Sequence, residues 1–290
     1  GCSIIVKPAE QTSLTALRVA ELAHEAGIPR GVLQVLPGDG PSVGEPLGRH
    51  MDVDMVSFTG STETGRRFLQ YAADSNLKKV VLECGGKNPA LVFDDAENLD
   101  HVAEHVVNGA FWNAGQNCSA TSRLIVHSAV KSSLLDKINA RIREWKVGDP
   151  LDPANHIGAL IDKDHCSKVR SYLDDKGDGP FIYPTVFEVE ADDPRARDEI
   201  FGPVLCVIKV ASNDEAVQVA NDTNYGLTAS LFSKGSRSGI RAARNLRAGT
   251  VTVNCYGEGN IATPFGGYKQ SGFGGRDNGL HSHDQYTEIK

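Results

Sequence analysis

An α/β fold built on parallel strands is predicted by two observations. Short apolar, β-branched runs alternate along the chain with segments whose apolar residues recur every three or four positions. Turn residues mark most of the switches, with 30 Gly and 13 Pro among 290 residues. That length suggests about two such units, on a soft prior of ~150 residues per domain.

Cys2–Val6 reads as a short strand, and Leu14, Leu17, Leu22 and Ala23 mark one face of a helix closed by Gly27 and Pro29. Val32–Leu36 and Val53–Thr59 read as strands, Thr64–Ala73 as a helix, and Lys79–Leu82 and Ala90–Phe93 as strands. A helix near Asp100–Trp112, a strand at Leu124–Val126 and a helix at Lys131–Trp145 follow. Strands are expected near Val186, Val204–Val210, Leu227–Phe232 and Val251–Val253. The Gly-rich run Phe265–Arg276 has no apolar periodicity and reads as extended or looped.

Composition excludes several classes of function. The 37 acidic and 30 basic residues give a net charge of −7 without a long basic run, which argues against a nucleic-acid groove. No apolar stretch approaches the ~18 residues of a membrane helix, and no signal-peptide pattern stands at the start. The six cysteines form no CxxC pair and no set at metal-ligand spacing, so the reading is of reduced thiols in a cytoplasmic setting, with no metal.

Two segments carry residues suited to covalent chemistry. Cys118 lies in Asn113-Ala-Gly-Gln-Asn-Cys-Ser-Ala120, and 35 positions earlier Glu83 opens Glu-Cys-Gly-Gly-Lys-Asn-Pro. A thiolate is a strong nucleophile whose thioester water can hydrolyse, and a carboxylate of raised pKa is a base for that water. The plainer readings are an inert buried thiol and a strand-end carboxylate capping the Gly85–Gly86 turn. Gly60-Ser-Thr-Glu-Thr-Gly65, between a strand and a helix, offers backbone N–H groups and a helix dipole to a phosphate. It is neither GxGxxG nor a Walker loop, and an ordinary helix cap is the alternative.

The pairing of NxGQxCxA with LExGGKxP resembles the active site of the NAD(P)-dependent aldehyde dehydrogenase superfamily. The likeness extends over nearly the whole chain, through Lys7-Pro-Ala-Glu-Gln11, the GSTETG turn, Glu199-Ile-Phe-Gly-Pro-Val204 and Thr263-Pro-Phe-Gly-Gly-Tyr-Lys-Gln-Ser-Gly272. It implies an incomplete Rossmann-like cofactor-binding domain followed by a second α/β catalytic domain. By the resemblance Cys118 is the nucleophile and Glu83 the base. Lys7 and Glu10 meet the adenosine ribose, Gly60, Ser61 and Gly65 surround the phosphates, Glu199 binds the nicotinamide ribose, and Phe201 packs on the cofactor. A carboxylate at Glu10 accepts a ribose 2′-hydroxyl and repels a 2′-phosphate, which favours NAD over NADP.

Within the superfamily the phrases around Cys118 and Phe265 look most like the γ-glutamyl-γ-aminobutyraldehyde and 4-guanidinobutyraldehyde dehydrogenases. By that resemblance Trp112 and Phe265 line the aldehyde tunnel and Glu258 faces a cationic substrate end, a solvated loop carboxylate being the plainer reading. The expected organisation is 1–82 for the cofactor domain, 83–267 for the catalytic domain, and 268–290 for a tail leading to an oligomerisation strand. The partners implied are a small aldehyde and further copies of the chain, as a homodimer or homotetramer, with neither nucleic acid nor membrane. The chain is also expected to lack the family's N-terminal portion, which carries an oxyanion-hole Asn, and to have a short link between Tyr172 and Tyr183. A cysteine-dependent esterase and an inactive or structural fragment are the competing functions.

Overall fold

The first two apolar runs pair as parallel strands in a computed structural model that describes residues 2–290. Strand β1 (Ile4–Val6) lies beside β2 (Leu33–Val35) with Ile4 opposite Leu33, and helix α1 (Ser13–Glu25) forms the crossover. These belong to one unit, made of the residues up to Phe58 together with Glu63–Val80. It also holds α2 (Glu45–Arg49), most of β3 (Met55–Thr59) and most of α3 (Thr62–Ala73), which begins two residues before the expected Thr64. No side chain of α1 is buried, and Leu14 on its apolar stripe is 81% exposed.

Strand β4 (Lys79–Glu83) carries the chain into the second unit, formed by Thr59–Thr62 and the residues from Val81 onward. This unit is built around a six-stranded, all-parallel sheet. Its strands are β5 (Asn88–Val92), β6 (Thr121–His127), β7 (Thr185–Glu188), β8 (Val204–Val210), β9 (Thr228–Phe232) and β10 (Thr250–Val253), in the spatial order β10-β9-β5-β6-β8-β7. Its helices are α4 (Leu99–Phe111), α5 (Ser128–Ile142), α6 (Lys163–Leu173), α7 (Pro194–Arg197), α8 (Asn213–Asn221) and α9 (Ser236–Asn245). The short β11 (Gly272–Phe273) pairs antiparallel with the end of β4, placing Gly272 opposite Glu83.

Alternation along the central strands builds two cores. Ala90, Val92, Leu124, Val126, Leu205 and Val207 face α4, α5 and α6, whereas Leu91, Ile125, Cys206, Ile208 and Leu231 face α8 and α9. Strands covered on both faces read as continuous apolar runs, which is why Val204–Val210 is legible at its full length. Helices α6, α8 and α9 escape a reading of periodicity because each buries few apolar side chains, such as Cys166 and Val169 on α6 and Ala242 on α9. The link after α6 is organised by Arg170, whose guanidinium bonds to Asp175 and to the carbonyls of Gly179 and Phe181.

Ligands of open parallel sheets usually sit beyond the carboxyl ends of the strands. Here the conspicuous polar residues gather at the other edge. Asn88 and Thr228 are the first residues of β5 and β9, Cys118 lies three positions before β6, and Glu199 five before β8.

Candidate active site

The segment between α4 and β6 is bent by three successive left-handed residues, Asn113 (φ 53°), Ala114 (φ 58°) and Gly115 (φ 68°). Asn tolerates this region and Gly adopts it freely, whereas Ala114 is strained there, by ~1–2 kcal/mol. Gly115 is also a close approach, since a Cβ on it would stand 2.2 Å from the Gly202 carbonyl oxygen. The side chain of Asn113 bonds to the Gln116 carbonyl (3.0 Å), and Gln116 in turn accepts the N–H of Ile161 (3.0 Å). The bend presents Cys118 half-buried, its sulfur 3.8 Å from Asn117 Oδ1.

That thiol is pushed up to about 11, by burial first and then by the carboxylates of Glu258, Glu83 and Glu199. The Ser119 N–H acts the other way, but it is outweighed. From the sequence, Cys118 would be activated if nearby backbone N–H groups and a bound cofactor lowered its thiol. The structure supplies the backbone N–H and also the opposing acids, which lie far away in sequence.

Glu83 ends β4, is 8% exposed, and keeps its Oε2 buried without a hydrogen-bond partner. Burial pushes its carboxyl up to about 7, Asp277 adds to the rise, and Arg276 opposes it. An unpaired, desolvated carboxyl titrating near neutrality is what a general base requires. The plainer reading as a surface cap does not hold, because the group is buried.

Glu199 accepts the Gly86 N–H (2.9 Å), and burial raises its carboxyl as well. Phe201 takes a left-handed φ of 60°, its carbonyl 2.7 Å from His165 Nε2. Lys168, one turn along α6, donates to the Glu199 carbonyl (3.1 Å). A cleft lined by Gly86, Gly115, Asn117, Glu199 and Phe201 therefore adjoins the nucleophile loop.

Ser119, itself buried, donates its hydroxyl to the Glu258 carboxylate, and Asn117 Nδ2 bonds to the Tyr256 hydroxyl (3.4 Å). Glu258 is thus tied to the residue after Cys118. Trp112 is 60% exposed at the end of α4, while Phe265 is half-buried and pairs through its backbone with Asp277.

In the first unit, Lys7 follows β1 and donates to Glu10 Oε1 (3.0 Å) and to the Pro8 carbonyl. Glu10 is held below the usual carboxylate range, first by its own backbone N–H and then by Lys7, so it is an ionised acceptor at neutral pH. Gly65 is buried on α3. Gly60 and Ser61 precede that helix in the second unit, and the Gly60 N–H is committed to the Glu83 carbonyl (3.0 Å).

Asn88, Ser119, Asp277 and Arg276 join the site without having been singled out. Asn88 and Ser119 stood inside quoted motifs. Asp277 and Arg276 act on Glu83 across a separation that periodicity does not reveal.

Residues 1–290 match the aldehyde dehydrogenase family, and the chain belongs to it. It is 60% identical to the aminoacetaldehyde dehydrogenase of Pseudomonas aeruginosa and 43% identical to the NADP/NAD-dependent aldehyde dehydrogenase PuuC of Escherichia coli, in both cases over all of this chain and 61% of the relative. The crystal structure of the γ-glutamyl-γ-aminobutyraldehyde dehydrogenase from Burkholderia cenocepacia superposes with a TM-score of 0.96 at 46% identity, covering 99% of this chain and 62% of that one. The chain therefore spans about 61% of the length of the curated relatives it matches.

Proposed function

We propose that the full-length protein oxidises an ω-amino, ω-guanidino or γ-glutamylamino aldehyde to its carboxylic acid with NAD. The observation that carries this reading is the buried, unpartnered Glu83 carboxyl titrating at about 7 in the same site as Cys118. Similarity to an aminoacetaldehyde dehydrogenase and to a γ-glutamyl-γ-aminobutyraldehyde dehydrogenase supports the nitrogen-bearing substrate class.

The Cys118 thiolate adds to the carbonyl carbon, giving a thiohemiacetal whose oxyanion is met by the Cys118 backbone N–H. NAD, when bound, supplies the hydride acceptor and a positively charged ring that favours the thiolate. Loss of hydride from the former carbonyl carbon leaves a thioester on Cys118. Glu83 then takes a proton from water, and the hydroxide attacks the thioester to release acid and thiol. Glu199 and Phe201 hold the nicotinamide end, with Lys7, Glu10, Gly60, Ser61 and Gly65 serving the adenosine end. Trp112 and Phe265 line the aldehyde approach, and Glu258 receives the cationic end.

NAD is preferred to NADP because Glu10 is an ionised carboxylate where a 2′-phosphate would sit. On this reading 1–82 serves the cofactor, 83–267 the chemistry, and 268–290 leads to an oligomerisation strand of a homodimer or homotetramer. All six cysteines are unpaired, which supports a reducing, cytoplasmic setting. Among the described residues no helix is long and apolar enough to cross a membrane.

The test is to incubate the full-length protein with aminoacetaldehyde or 4-guanidinobutyraldehyde and NAD and to follow absorbance of reduced nicotinamide. NADH formation with stoichiometric acid is expected. Ester cleavage without NADH from any aldehyde would sink the dehydrogenase reading and leave a cysteine esterase.

A further inference from the structure

Two histidines one turn apart on α4, His101 and His105, hold a segment whose anchorage the chemistry above does not use. His101 Nε2 donates to the Asn254 carbonyl at 2.9 Å, and His105 Nδ1 accepts the Tyr256 N–H at 3.1 Å. The partners fix the tautomers, since a carbonyl only accepts and a backbone N–H only donates. The two rings meet edge to face, with centroids 4.3 Å apart. Burial and then His101 hold His105 below the ordinary histidine range, with Glu104 opposing, so Nδ1 is available as an acceptor at neutral pH. Asn254, left-handed at φ 57°, secures the near end by exchanging two 3.0 Å bonds with the Ser233 backbone. Gly109, one turn beyond His105, lets the Tyr256 ring lie on the helix, because a Cβ there would stand 2.8 Å from the ring Cδ2.

The far end of the same segment meets the nucleophile loop. The Tyr256 hydroxyl accepts from Asn117 Nδ2 at 3.4 Å, Asn117 Nδ2 also reaches Ser119 Oγ at 2.9 Å, and Ser119 donates to the Glu258 carboxylate. Cys118 Sγ stands 3.8 Å from Oδ1 of that same Asn117. A continuous chain of contacts thus runs from α4 through Tyr256 to both neighbours of Cys118. Gly257 and Gly259 flank Glu258 at positive φ, so this end of the strap has little stiffness of its own and depends on the anchored Tyr256. We propose that His105 is a positioning residue for the aldehyde site: by accepting the Tyr256 N–H it seats Tyr256 and Glu258 against the residues on either side of Cys118. A side chain without an acceptor leaves that N–H without its partner and loosens the strap from α4. The inference rests on the proposed aldehyde reading, in which Glu258 receives the cationic end.

The test is steady-state kinetics of the full-length protein with aminoacetaldehyde and NAD. His105→Leu fills similar space without an acceptor, whereas His105→Asn returns an acceptor oxygen close to the place of Nδ1. His105→Leu is expected to raise the aldehyde KM ~10-fold, as a displaced positioning group does, and to leave the KM for NAD within about twofold. His105→Asn should bring the aldehyde KM back to within about twofold of the parent, a rescue that restored packing alone does not produce. If His105→Leu does not fold, His105→Ala takes its place. An unmoved aldehyde KM in the folded acceptor-free variant, an equal rise in the KM for NAD, or a His105→Asn enzyme as impaired as His105→Leu overturns the proposal. Failure of both acceptor-free variants to fold would assign His105 to the fold alone and overturn it too. A parent enzyme that forms no NADH from any aldehyde, in contrast, would sink the aldehyde reading itself.

Discussion

The two units of the chain place their polar and apolar groups in opposite ways. In the second, alternate side chains of β5, β6 and β8 are sealed on both faces, and the candidate site gathers buried polar groups such as Glu83, Asn88 and Ser119. In the first, α1 buries no side chain, and Lys7 and Glu10 form a partly exposed ion pair. The contrast teaches that one sequence rhythm can serve two energetic regimes. A buried group responds strongly to its neighbours, whereas an exposed pair is worth little to stability and acts through its charge toward a ligand.

If this contrast holds, the largest effect belongs to the site of the second unit. Cys118→Ala should reduce aldehyde turnover by ~10⁴-fold or more, as loss of a covalent nucleophile does. Steady-state NADH production checks it. Next come the cores: Ile125→Ala, at a fully buried position, should cost ~2–5 kcal/mol by denaturant unfolding.

Glu83→Gln should act in the stabilising direction above neutrality. Glu83 titrates at about 7 in the fold against 4.5 ordinarily, so the folded state binds more protons between these values. Its contribution is fully present at low pH and is lost as pH rises through about 7. The neutral variant escapes that loss, and at pH 8 should unfold later than the parent by up to ~3 kcal/mol while matching it at pH 4.

The first unit should respond more weakly. If Glu10 faces the cofactor ribose as proposed, Glu10→Gln should narrow the NAD-to-NADP preference by ~10-fold, or about 1.4 kcal/mol, measured as the ratio of kcat/KM values. In the 290-residue chain, Leu14→Ala should change stability by no more than ~0.5 kcal/mol, because the side chain is already 81% exposed. A Leu14→Ala loss as large as that of Ile125→Ala would break the comparison.

Legibility in the sequence followed the same division between local and distant causes. Val204–Val210 and the α4 pattern could be read because strand and helix periods are local, and Cys118 and Glu83 because each sits in a distinctive short run. Helix α9 could not, since its buried residues are Gly239 and Ala242 and carry almost no apolar signal. The raised thiol at Cys118 was hidden because its carboxylate neighbours come from β4, the Glu199 loop and the Glu258 loop. Asn88 was in view, but the carbonyls it donates to lie 30 and 32 positions away.

The central claim is that Cys118 carries the acyl group and Glu83 brings the water that removes it. Mixing Glu83→Gln enzyme with aldehyde and NAD, quenching in acid and weighing the Cys118 peptide tests both halves at once. The account predicts a burst of NADH, an acyl adduct on Cys118 and turnover slowed by ~10²–10⁴-fold. Wild-type steady-state turnover, or a burst that leaves no mass on Cys118, would contradict it.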